Sequence, residues 1–167
     1  MVIHTGALIF VALVNLVSGS VEFKDCGSTY TQPIAVEIIP CNTSPCELKK
    51  GRDVTVKFNF SALLFHADLQ GHSTGLPPTC TVRDTDGGEI RLSSSVLGIP
   101  VNLPLTNSNI CSHIQPDCPI RANSIYTIEV RRQIPSFIPV SAADVTGQLI
   151  DHQNNVITCL KVHVKLI

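Results

Sequence analysis

Val54, Val56, Phe58 and Phe60 alternate with Thr55, Lys57 and Asn59, and a chain that keeps repeating this period of two is committed to half-buried strands. The C-terminal run repeats it, with Leu160, Val162, Val164 and Leu166 on one face and Lys161, His163 and Lys165 on the other. Ile34, Val36 and Ile38 form a third such segment, Tyr126, Ile128 and Val130 a fourth, and Val145 to Ile150 a fifth. Glu89 to Leu105 reads as two extended pieces divided by Gly98. No segment of useful length spaces apolar residues by three and four, so helices are expected to be minor or absent. Lys50-Gly51, Asp86-Gly87-Gly88, Asn107-Ser108-Asn109 and residues 152–155 supply breakers between the strands. Short alternating strands at this spacing predict an all-β fold of two packed antiparallel sheets in a single domain.

The compartment is written in the ends and the cysteines. Residues 6–17 are apolar except at Asn15, and Ser18, Gly19 and Ser20 follow. That is the pattern of a signal peptide over residues 1–20, too short for a permanent span, which leaves 21–167 as the folded domain. The chain contains seven cysteines, which in a secreted protein read as a disulfide framework with one thiol left over. Zinc is disfavoured, because the Cys41/Cys46 and Cys111/Cys118 spacings are wider than the usual knuckle. Two acceptor sequons follow from the same reading, at Asn59 and at Asn42; Asn59 alternates onto the polar face of its strand, whereas Pro45 disfavours Asn42.

Lys and Arg nearly balance Asp and Glu, with a formal net charge of −1, so nothing resembles the basic footprint of a nucleic-acid binder. The stretch 61–86 shows neither strand nor helix period, contains Cys80 and Pro77-Pro78, and is expected to be an insertion loop.

Four strings resemble the ML lipid-recognition family, which includes the soluble Niemann-Pick type C sterol carrier and the group-two mite allergens. They are Val21 to Ser28, Pro40 to Gly51, Leu97 to Leu105, and Cys118-Pro119-Ile120, and together they cover the mature chain; the closest likeness is to arthropod secreted members. The resemblance implies an immunoglobulin-like β-sandwich with disulfides pairing Cys26 with Cys159, Cys41 with Cys46 and Cys111 with Cys118. It implies no enzyme and no cofactor. The implied function is the carriage of a sterol, fatty acid or other hydrophobic small molecule in an apolar cavity between the sheets. A monomer is expected, either secreted or held in the lysosomal lumen, making transient membrane or receptor contact at the cavity mouth. Family positions that flank the ligand with aromatic rings carry Leu103, Ile138, Gly147 and Leu160 here, and the chain has no tryptophan, so the lipid's identity stays open.

There is no glycine-rich phosphate loop or His-Glu-x-x-His pair, and the one Gly-x-Ser-x-Gly string, Gly71 to Gly75, falls in the irregular stretch and not between a strand pattern and a helix pattern as a nucleophile elbow requires. His66, Asp68 and His72 cluster in sequence but fall in the irregular stretch, where a solvated loop accounts for them. Two apolar, proline-punctuated runs, Ile99 to Leu105 and Ile134 to Val140, suit a sheet edge and a ligand mouth, or else sandwich corners. Combining them with the inward faces of the strands, the expected wall is Val56, Phe58, Leu103, Ile134, Ile138, Val145, Leu160 and Val162, with no metal site. The competing reading is a secreted recognition or adhesion module with a fully packed core, or one that recognises microbial lipid.

Overall fold

The computed structural model describes residues 20–41, 45–63, 87–96, 98–139 and 141–167. All of the expected signal segment but Ser20, together with Asn42, Leu97, Val140, His66, Asp68, His72, Cys80 and nearly all of the expected insertion, lies outside them.

Two sheets form the domain. The first takes β1 (Phe23–Asp25), β10 (Val156–Leu166), β9 (Ala142–Ile150), β5 (Glu89–Val96) and β6 (Ile99–Asn102), in that order, with β3 (Cys46–Leu48) also on β10. The second runs β2 (Thr31–Ile39), β4 (Asp53–Ala62), β8 (Ile125–Gln133) and β7 (Ile114–Gln115). Pairing is antiparallel except between β3 and β10, which run parallel through Val164 and Cys46. A single 3-10 turn, Ile110–Ser112, is the one helical element among the described residues, capped by Asn109, whose side chain accepts from the Cys111 N–H at 2.8 Å.

Alternation becomes burial along the long strands. Leu160, Val162, Val164 and Leu166 face inward while Lys161, His163 and Lys165 face water, and His163 Nδ1 lies 2.7 Å from Asp144 Oδ1 on that outer face. Opposite them, Val54, Phe58 and Phe60 of β4 and Tyr126, Ile128 and Val130 of β8 are buried. Tyr126 closes a corner: its hydroxyl donates to the Pro119 carbonyl at 3.3 Å and accepts from the Arg121 N–H at 2.7 Å.

Two expectations need correction. Alternation predicts Ile34 inward with Val36 and Ile38, yet it is 48% exposed. The pairing of β2 with β4 shifts register between Pro33 and Ala35, and the extra residue of that bulge turns Ile34 outward before alternation resumes at Val36. The irregular stretch also begins later than Ser61: Ser61 and Ala62 continue β4, paired with Gln32 and Thr31 of β2. Gly98 makes the β5–β6 turn with φ of +81°, a conformation that other residues adopt only under strain.

Three disulfides fasten this frame: Cys26–Cys159, Cys41–Cys46 and Cys111–Cys118. The first bonds the residue after β1 to the middle of β10, and the Cys26 N–H also donates to the Cys159 carbonyl at 3.1 Å. Asp25 organises the turn that follows, since its Oδ1 accepts from the backbone N–H of Ser28 at 2.8 Å and of Gly27 at 2.9 Å. The Ser28 N–H is the main cause holding the Asp25 carboxyl below its ordinary pKa. Because the folded value is depressed, the turn's contribution is present above the unfolded pKa and lost as pH falls through the folded one. Asp25→Ala is therefore expected to lower the melting temperature more at pH 7 than at pH 3. Equal losses at both pH values in thermal melts would argue against the carboxylate as the source.

Candidate functional site

The sandwich is packed at one end and hollow at the other. At the packed end, the Phe60 and Tyr126 rings stack with centroids 5.7 Å apart, and Ile110, Ile120 and Ile157 are each buried in the same core. None of these side chains borders the cavity. Beyond Phe58, whose ring stacks on Phe60 at 5.2 Å, the two inner faces separate around a cavity of about 540 Å³. That volume lies within the range of sites that enclose small ligands, roughly 300 to 1,000 Å³.

The long strands bring their inward residues to the wall. β2 contributes Val36 and Ile38; β4 contributes Val54, Val56 and Phe58; β8 contributes Ile128 and Val130. Across from them stand Ile90 and Leu92 of β5, Val145, Gly147 and Leu149 of β9, and the four alternating aliphatics of β10. Val56, Leu92 and Val145 are mid-strand and inward and pack on the core at one side, yet are only half-buried, and all three front the cavity.

The two proline-punctuated runs meet at the open end. Val101 and Leu103 border the cavity from the β6 side, and Ile134, Pro135, Phe137, Ile138 and Pro139, between β8 and β9, border it from the other. Phe137 is 84% exposed and Ile99 66%, so apolar surface continues outward past the rim. Arg132 Nη1 donates to the Pro104 carbonyl, joining the end of β8 to the segment after β6.

All eight residues expected to wall a cavity line this one: Phe58, Leu160 and Val162 as buried strand residues, Val56 and Val145 as half-buried ones, and Leu103, Ile134 and Ile138 at the rim. Leu103, Ile138, Gly147 and Leu160, the positions where the resemblance implies aromatic flanks, also border it. Sequence reasoning missed Ile90, Leu92 and Leu149, although Ile90 and Leu92 alternate within a run read as extended. It also missed Ser94 and Arg132, which are polar residues on an inner face. Asn59 lies half-buried on the outer face of β4, where its Oδ1 accepts from the Thr127 hydroxyl at 2.8 Å. Among the described residues there is no group of three or more potential metal ligands.

Comparison with known proteins gives concordant results. The model of the ML domain matches residues 20–166. A bovine (Bos taurus) protein named NPC intracellular cholesterol transporter 2 is 27% identical over 164 residues, covering 97% of this chain and 96% of its own. The mite group 2 allergen Lep d 2 of Lepidoglyphus destructor is 27% identical over 159 residues, covering 92% of this chain and 95% of its own. Among solved structures, a Niemann-Pick type C2 protein from the Japanese carpenter ant superposes with a TM-score of 0.67 at 20% identity, over 87% of this chain and 99% of that one.

Proposed function

Since the chain belongs to the ML-domain family, we propose that it is a lipid carrier, enclosing one sterol or fatty acid in the cavity between its sheets and transferring it through the mouth between the two proline-punctuated runs. The observation that carries this reading is the cavity itself: about 540 Å³ with aliphatic walls, left open by a domain that packs its other end fully. Burial of hydrocarbon supplies the affinity. At about 0.8 kcal/mol per methylene, a sixteen-carbon chain yields roughly 12 kcal/mol before the costs of association. The competing recognition module would have its inner faces in contact throughout, and the half-buried Val56 and Val145 speak against that. Three disulfides support an oxidising compartment, outside the cell or in the lysosomal lumen. The exposed Phe137 beside the mouth supports transient contact with a membrane or receptor during transfer.

Delipidated protein is expected to bind a fluorescent sterol or long-chain fatty acid saturably at one site. Leu103→Asp or Ile138→Asp places a charge at the rim, where a ligand would have to cover it, and should weaken binding by at least about tenfold. Both positions are half-buried at the rim and outside the strands, so the melting temperature of the unloaded protein should fall by only a few degrees. Absence of saturable binding by the parent protein would refute the carrier, and matched losses of stability and binding in the variants would mark these residues as a packed corner.

A further inference from the structure

Asn59, Phe60 and Ser61 form an acceptor sequon that plays no part in lipid carriage. Phe60 is fully buried on the inner side of β4, so Asn59 and Ser61, its neighbours in the strand, stand on the outer face of the second sheet. In register, Asn59 lies between two small side chains, Ala35 of β2 and Thr127 of β8.

The Asn59 amide is held in the orientation that a glycan requires. Its Oδ1 accepts from the Thr127 hydroxyl at 2.8 Å, and its Nδ2 has no partner among the described residues. Asn59 is only half-buried, and no enclosed side-chain nitrogen or oxygen in the described chain lacks a partner, so Nδ2 opens to solvent. A sugar on Nδ2 leaves the bond from Thr127 intact, because that bond uses only the amide oxygen.

The surface around Asn59 changes character over one row of the sheet. Towards the cavity mouth the next row is charged, with Lys57 Nζ 3.4 Å from Glu129 Oε2. Beside the sequon the same face exposes two isoleucines. Ile125, the register partner of Ser61, is 64% exposed, and Ile34, in the bulge next to Ala35, is 48% exposed. Ile125 is the diagonal neighbour of Asn59 across the strands, roughly 7 to 8 Å away, and Ile34 flanks it on the β2 side.

We propose that Asn59 carries an N-linked glycan whose first sugars lie over Ile34 and Ile125. The donor is a polyprenyl-pyrophosphate oligosaccharide. A bond forms between Nδ2 and the sugar's anomeric carbon, the bond from that carbon to the pyrophosphate oxygen breaks, and the polyprenyl pyrophosphate leaves with the electron pair. One amide proton is released, and no oxidation state changes. The N-acetylglucosamine rings turn C–H faces and acetyl methyls to the isoleucines and hydroxyls to water, which removes apolar surface that this face otherwise exposes. The proposal rests on passage through the secretory route and is independent of the cargo.

The full chain is expressed in cultured mammalian cells, and protein from medium and cells is mapped by mass spectrometry before and after peptide N-glycosidase. Most of the secreted protein should carry a glycan at Asn59, which the enzyme removes as it converts that asparagine to aspartate. Ser61→Ala should abolish the modification, and Ser61→Thr should keep it. Deglycosylation should lower the melting temperature by about 2 to 4 °C, and that shift should vanish in Ile34→Ser/Ile125→Ser protein, which still carries the glycan. Unmodified Asn59 in protein from the medium would overturn the site and leave secretion standing, whereas unmodified protein found only inside the cells would overturn both. A glycan whose removal shifts parent and double variant equally would overturn the covering of the isoleucines.

Discussion

Replacing Cys26 by Ser and Cys159 by Ala together is expected to lower the unfolding free energy by about 5 kcal/mol, the value the chain-entropy model gives for a closed loop of 133 residues. The bridge ties β1 to the centre of β10, and cutting it releases nearly the whole folded chain in the unfolded state. Cys159 is 2% exposed, so alanine avoids burying a new hydroxyl there. Removing Cys41–Cys46 in the same way frees a separation of only 5 residues, for which the model gives about 2 kcal/mol. Urea unfolding of both variants under matched conditions measures the difference. If the long-range bridge costs no more than the short one, loop closure is not what stabilises this domain.

The second large effect separates two neighbouring rings. Phe60→Ala should cost about 3 to 5 kcal/mol, because the ring is fully buried between Phe58 and Tyr126 and its removal leaves a void that the packed end cannot collapse into. Phe58 is almost as buried, at 5% exposed, yet one side of it faces the cavity. Phe58→Ala should therefore destabilise unloaded protein by clearly less, and should weaken lipid binding where Phe60→Ala leaves it largely intact. Equal destabilisation by the two substitutions would mean that the inner faces meet around Phe58 as they do around Phe60.

That contrast also shows what a strand pattern reveals and what it conceals. Both phenylalanines alternate identically along β4, so the inward face was legible, and so were the inward faces of β8 and β10. Whether an inward residue meets another side chain or open space depends on the distance between sheets, and no periodicity within one strand encodes that. The bulge at Pro33 is another non-local event: alternation predicted Ile34 inward, but register against β4 turned it out. β1 and β3 are three residues each, too short to show a period, and are strands only because β10 offers them an edge. Ser94 was hidden for a local reason. It sits within Ser93-Ser94-Ser95, where identical side chains erase the alternation that would have distinguished the inward hydroxyl from its neighbours. Arg132 was hidden by the pair it forms with Arg131, which reads as a solvated strand end.

The hollow end of the sandwich also has a volumetric meaning. A void enclosed by the native fold disappears when the chain unfolds, so unfolding the unloaded protein reduces the volume of the system, and hydrostatic pressure favours it. A lipid seated between the sheets fills the void and removes that reduction. On the carrier reading, cargo would change the volume of unfolding as well as its free energy, so loaded and unloaded protein are expected to differ in their resistance to pressure.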